Sequence, residues 1–205
     1  MGKMKAMRLA VAAGALALVG CAKERLSEPK HTGTEELLVS TAIDHVVSQL
    51  KPTFPAGSKV FVDPQYFDTT PADDVLYAKY ALGAVRDQLL KQGVHLVEDR
   101  KSADVVVEPR SGAQSIDHDM FLIGIPSFDV PIPLAEKLTF PEIALFKKDR
   151  QTGVSKLAIT AYAAKDGSLV DSVGPVLGYS DRTRRVVLLF YAWTETDAPP
   201  DDIQR

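Results

Sequence analysis

The sequence predicts an α+β fold: one mixed β-sheet with helices mainly on one face, a strand–helix–strand first half and an antiparallel, strand-rich second half. Three observations lead there. Apolar residues recur at helical spacing only in the first half, as in Leu38, Ala42, Ile43, Val46, Val47 and Leu50. A short β-prone run, a second helical run and another β-prone run follow between Lys59 and Glu98. From Ala103 onward the chain is a series of β-prone runs separated by turn signals.

The elements are justified in chain order. Lys3, Lys5 and Arg8 form a positive n-region, and Leu9 to Val19 is an apolar h-region. That run is shorter than the roughly 20 residues needed to span a bilayer, and its pattern is that of a secretory signal. A buried helix would show polar residues on one face, and this run shows none. Ala22 to His31 is polar, contains Pro29 and reads as a tether. Roughly ten flexible residues span about 17–20 Å, so the domain is expected close to the membrane surface.

The first helix is expected over TGTEELLVSTAIDHVVSQL, capped by Thr32 with Glu35, or by Thr34, and ended by Pro52. KVFVD, Lys59 to Asp63, reads as a strand. In the second helix Thr70 is the cap, Pro71 suits the first turn, Asp73 and Asp74 suit the positive end of the dipole, and Gly93 is the stop. VHLVE and ADVVVEPRSGAQS read as the next strands, and the strand–helix–strand unit predicts a right-handed crossover between parallel strands. MFLIGIPSFDVPIPL, residues 120–134, is expected as an apolar loop broken by prolines 126, 131 and 133. FPEIALFKK is a strand. SKLAITAYAA and SLVDSVGPVLGYS flank a hairpin turn at Lys165-Asp166-Gly167, RRVVLLFYAW is the last strand, and DAPPDDIQR is a polar tail.

Length and charge bound the function. Removal of residues 1–20 leaves about 185 residues, enough for one ordinary domain. It also removes three positive charges, taking the net charge from −3 to −6. Such an acidic domain lacks the basic footprint of a nucleic-acid binder. Cys21 is the only cysteine, which leaves no disulfide, CxxC redox pair or other thiol nucleophile. The expected organisation is a signal at 1–20, an acylated cysteine and tether at 21–31, one α+β domain at 32–197 and a tail at 198–205.

Leu18-Val19-Gly20-Cys21 resembles the lipobox of bacterial lipoproteins. The resemblance implies cleavage before Cys21 and acylation of its thiol and new amino group, with palmitate-type chains. Ala22, in place of Asp, implies outer-membrane sorting in a diderm cell, with the domain facing the periplasm. GTEELL, FPEIALFKKDRQTGVSKLAITAYAAKDGSLVDS and GPVLGYS resemble an uncharacterised family of bacterial lipoproteins, over most of the mature chain. At the level of fold, the tethered strand–helix–strand followed by antiparallel strands resembles periplasmic domains of the curli-secretion lipoprotein, the TolB amino-terminal domain and the penicillin-binding-protein activator lipoproteins. That resemblance implies binding or assembly parts, and fold analogy alone does not transfer function.

The motif search finds no nucleophile elbow, HExxH or phosphate loop. Asp117-His118-Asp119 is the nearest approach to a metal cluster, but adjacent side chains of an extended segment point to opposite faces, and a polar turn is the plainer reading. His45 reads as a boundary histidine, His31 lies in the tether and His95 in a strand. Asp63 and Asp68, with Asp73 and Asp74, gather near the end of the first strand. Asp63 and Asp68 are the candidates for a cation or polar ligand, against capping and turn formation. Arg182, Arg184 and Arg185 are either a solvated strand entry or a contact for anionic lipid. Glu142, Lys147 and Arg150 read as the polar positions of one strand.

Phe121, Ile123, Ile125, Phe128, Val130 and Ile132 are the candidate interaction surface, for a protein partner, self-association or a membrane, unless the segment folds over the sheet as core. The expectation is therefore a membrane-anchored, non-catalytic binding or assembly component of the cell envelope, needing no cofactor and binding no nucleic acid. The alternatives are an auxiliary subunit of an envelope transporter and a cation-dependent periplasmic enzyme using the aspartates.

Overall fold

The computed structural model describes residues 31–55, 57–67, 75–132 and 135–198, without the side chains of Val75, Ile132, Ala135 and Glu136. The signal, Cys21, most of the tether, Asp68, Thr70, Pro71, Asp73, Asp74, Pro133, Leu134 and most of the tail lie outside them. The chain divides between Thr32 and Gly33, and every element below belongs to the second unit.

The helical part of that unit's core follows from the expected amphipathic helices. Helix α1 is Gly33–Gln49, strand β1 is Lys59–Val62, helix α2 is Val75–Lys91 and strand β2 is His95–Leu96. Gly93 takes φ +83° just beyond α2, the left-handed conformation that ends a helix. A single 3-10 turn at Arg100–Ser102 leads into β3, Val105–Ile125. β4, Phe128–Ile132, and β5, Ala135–Phe140, form a hairpin of their own. β6, Ile143–Ala163, β7, Leu169–Val187, and β8, Tyr191–Thr196, complete the main sheet. Its order is β2-β1-β3-β6-β7-β8. β1 is parallel to β2 and β3, and the remaining neighbours are antiparallel. The fold is α+β with a mixed sheet.

Both helices pack on one face. Ile43 and Val46 of α1, and Leu50 just beyond it, share one core with Tyr77, Ala81 and Val85 of α2, Val60 and Val62 of β1, Val105 and Val107 of β3, and Leu157, Ile159 and Ala161 of β6. α1 lies directly on the sheet. A Cβ built on Gly153 of β6 would come within 2.4 Å of the Leu38 carbonyl oxygen, and one on Gly178 of β7 within 2.4 Å of that of Ala42. Only glycine admits so close an approach.

Three sequence expectations are corrected here. Residues 120–134 are not a loop: β3 runs through Ile125, and the hairpin β4–β5 follows. FPEIALFKK and SKLAITAYAA are not two strands but parts of β6, continuous through Lys148-Asp149-Arg150-Gln151-Thr152. RRVVLLFYAW is divided, its first residues ending β7 and its last opening β8, with a turn at Leu188–Phe190.

These corrections share a cause. A strand of 21 residues is about 70 Å long at roughly 3.3 Å per residue, whereas a helix of 17 residues is about 25 Å. The helices cover only the half of the sheet near Val105 and Ala163. Among the described residues the half near Ile125 and Ile143 has no helix on either face, so its strands carry no simple alternation.

Ion pairs and hydrogen bonds tie the uncovered strands together instead. Arg150 donates from Nε and Nη2 to Asp181 Oδ1 at 3.0 and 2.8 Å, and Thr152 Oγ1 donates to the same oxygen at 2.6 Å. His118 Nε2 bonds Asp149 Oδ1 at 2.6 Å, and Lys147 bonds Glu142 at 2.9 Å. Exposed pairs of this kind contribute about 0–1 kcal/mol each.

The helix-to-sheet contact gives a stability prediction. Gly178→Ala should destabilise the domain by about 1–3 kcal/mol, the usual cost of overpacking. Gly83→Ala is the control, because a Cβ there meets nothing within 4 Å on the exposed face of α2. It should gain about 1 kcal/mol. Urea midpoints of the two variants should move in opposite directions.

Candidate functional site

Asp63 directly follows β1, where the parallel strands point into the loops. Its Oδ1 accepts from Gln65 N at 3.0 Å, closing a turn, and its Oδ2 accepts from Arg100 Nη1 at 3.2 Å. Arg100 Nη2 donates to the Tyr162 hydroxyl at 2.9 Å, and that hydroxyl donates to Glu108 Oε1 at 2.6 Å. The guanidinium also lies 5.7 Å from the Tyr162 ring centre. Burial raises the Tyr162 pKa, helped by the Glu108 hydrogen bond and charge and opposed by Arg100. The network joins the loop after β2 to β3 and β6, with both Asp63 oxygens engaged. Its proposed companion Asp68 lies outside the described residues. No group of three or more His, Cys, Asp or Glu suited to a metal occurs among the described residues.

The other titratable candidates are dispersed. His118 is bonded to Asp149, while Asp117 and Asp119 point to the opposite face, as the strand period requires. His45 Nδ1 donates to the Tyr179 carbonyl at 2.8 Å and so pins α1 to β7. Arg182, Arg184 and Arg185 lie within β7 rather than at a strand entry, which corrects that expectation. Arg185 pairs with Glu195 at 2.6 Å and lies 5.9 Å from the Trp193 ring centre. An apolar groove of about 420 Å³ between α1 and α2 is lined by Leu37, Leu76, Tyr77 and Tyr80. At its edge the Tyr80 hydroxyl bonds both Asp44 oxygens, at 2.9 and 3.0 Å, and burial followed by Asp44 raises its pKa.

The candidate interaction surface is at the uncovered end of the sheet. Phe121, Ile123, Ile125, Phe128 and Val130 are all exposed, and the Ile132 side chain lies outside the described residues. Phe121 and Phe146 meet edge to face at 6.2 Å. The sequence reading missed the rest of this surface: Leu138, Phe140, Ile143, Leu145, Leu188, Leu189, Phe190 and Tyr191 are exposed as well. The signal for them was LLFYAW, an apolar run that looks like a core strand until a turn divides it. Leu188 and Leu189 take φ of 49° and 73°, a left-handed conformation that costs roughly 1–2 kcal/mol per side-chain-bearing residue. Phe190 is 84 % exposed at the tip.

The fold and this surface define a class: an α+β chain whose antiparallel ribbon is covered by helices at one end and apolar and open at the other. Residues 15–187 match the model of the Family of unknown function (DUF6655), and the chain belongs to that family. A comparison with curated proteins found no match.

The two tyrosines give a pH prediction. Their folded pKa values are raised above the unfolded value of about 10, so their contribution is complete below that pH and lost as pH rises through the raised values. Urea midpoints should fall with pH in that alkaline window. The fall should be shallower in Tyr80→Phe and Tyr162→Phe.

Proposed function

We propose that this chain is a bacterial envelope lipoprotein, held by acyl chains on Cys21, that acts by docking to other envelope components rather than by catalysis. One observation carries the reading: the exposure of Phe121, Ile123 and Ile125 at the end of the main sheet that the helices leave bare, and of Phe128 and Val130 on the hairpin that follows. Exposed apolar surface of this kind marks interaction sites. The LVGC motif supplies the anchor, and the family match, beginning at residue 15, spans it. Two or more acyl chains hold a protein stably, whereas one holds it only marginally. No helix among the described residues is long and apolar enough to cross a membrane. The reading places the domain at the outer membrane, facing the periplasm.

The aspartate-based enzyme reading requires Asp63 to leave Arg100 and Gln65 before it can take a cation. Toward the open end Arg150 is likewise paired with Asp181 and His118 with Asp149.

Two measurements test the proposal. Cys21→Ser expressed in a diderm host should yield unprocessed or soluble protein; a variant that remains with membranes after a carbonate wash would sink the anchor. Replacing Phe121 and Phe128 together with Ser should abolish partner cross-links in cells and leave the thermal midpoint nearly unchanged. Unfolding of that double variant would instead assign both rings to the core, where truncation of a large side chain costs about 3–5 kcal/mol.

A further inference from the structure

The hairpin β4–β5 is one-sided. Phe128 pairs across with Phe140 and Val130 with Leu138, so these four side chains share a face. The two phenyl rings stack at 4.9 Å with 12° between their planes. The four residues are 38–47 % exposed. The opposite face is polar: Asp129 accepts from Thr139 Oγ1 at 2.6 Å and from Lys137 Nζ at 3.0 Å. These bonds, that of Thr139 first, hold the Asp129 carboxyl below the ordinary carboxylate range. The hairpin pairs with no other strand among the described residues. A lone two-stranded hairpin is marginal in water and gains stability when its apolar face is covered.

Beside its base lies the second apolar tip. Leu188 N bonds the Leu145 carbonyl at 2.9 Å and Leu189 N bonds that of Ala144 at 3.1 Å, so Phe190 projects next to the start of β6. Lys148 and Arg185 stand directly opposite each other across β6 and β7, and Arg184 faces the other side. No ion pair is seen for Lys148 or Arg184 among the described residues, and Tyr191 and Trp193 border Arg185. Aromatic rings beside Lys and Arg are the composition of a membrane–water interface.

We propose that this end of the sheet beds in an anionic bilayer surface, with the hairpin's apolar face and the Leu188–Phe190 tip in the headgroup–acyl boundary and Lys148, Arg184 and Arg185 at lipid phosphates. The inference names the partner of the docking surface proposed above and does not require the acyl anchor. Strands of this length reach about 17–20 Å, short of the roughly 30 Å hydrocarbon core, so the hairpin lies in the interface and does not cross. The charges favour lipid over a second copy. Lys148, which has no ion pair among the described residues, finds a counter-charge at a lipid phosphate, whereas a two-fold pairing brings only the same patch, whose Asp149 and Glu195 are already bonded to His118 and Arg185.

The test uses the full-length chain carrying Cys21→Ser, so that no acyl chain is present. Trp193 is the only tryptophan. Trp193→Phe combined with Phe128→Trp therefore places one fluorescent reporter on the hairpin. Vesicles of phosphatidylethanolamine and phosphatidylglycerol with brominated acyl chains should blue-shift and quench it. Neutral phosphatidylcholine vesicles should do so far less. Lys148→Gln and Arg184→Gln should each weaken vesicle binding about fivefold, the equivalent of about 1 kcal/mol per charge. Adding Leu138→Asp should abolish quenching with an unchanged far-ultraviolet circular dichroism spectrum. A reporter left in water while the chain sediments with vesicles would overturn this inference and leave the Cys21 anchor standing. A blue shift without vesicles that grows with protein concentration would overturn it in favour of self-association. Equal quenching by neutral vesicles would overturn the assignment to anionic lipid.

Discussion

The backbone of α1 rests on two glycines. Gly153 and Gly178 sit on neighbouring strands, and the absence of a side chain at each lets the helix approach to within backbone contact of the sheet. That seat fixes α1 along the strands, and His45 on Tyr179 holds its outer side. With α1 placed, α2 has one position that buries both apolar stripes over β1, β3 and β6. The limit of helix cover, and hence the beginning of bare sheet, follows from the same contact.

The covered half was legible in the sequence because burial imposes a period. Leu38 through Leu50 gave α1, and Val60, Val105 and Val107 gave the strands beneath it. The hairpin turn at Asp166 and Gly167 was legible for a local reason: Asp166 accepts from Ser168 and Gly167 takes φ +73°. Gly153 and Gly178 carry no such mark, because nothing local distinguishes a glycine that seats a helix from one that bends a chain.

The bare half was poorly legible for the converse reason. Where both faces of a strand meet solvent, no face is selected for apolar residues, and the sequence suggests one strand ending at Lys148 and another opening at Ser155, although the residues between them lie in mid-strand. What holds them is lateral, as in Arg150 to Asp181 and His118 to Asp149, and such pairing between distant segments leaves no mark at short range. The exposed apolar residues from Phe121 to Val130 were singled out by composition alone; their conformation was not. Their companions Leu188 to Tyr191 were hidden because a left-handed turn at two leucines has no sequence signature, the usual glycine or asparagine being absent.

β7 also has a margin that no strand covers. β8 pairs only with Arg182 through Val187, so from Leu169 to about Asp181 the outer side of β7 has no strand partner among the described residues. An open margin of that length invites strand addition by another chain, the first step toward aggregation. Two features oppose this. The pairing with β6 slips between Val173 and Val176, which interrupts the regular run of backbone donors and acceptors. Pro175 lies within that slip and has no N–H to offer. His45 and Asp197 occupy backbone groups further along. The flank of the sheet is thereby protected against templated polymerisation, while the apolar end remains exposed.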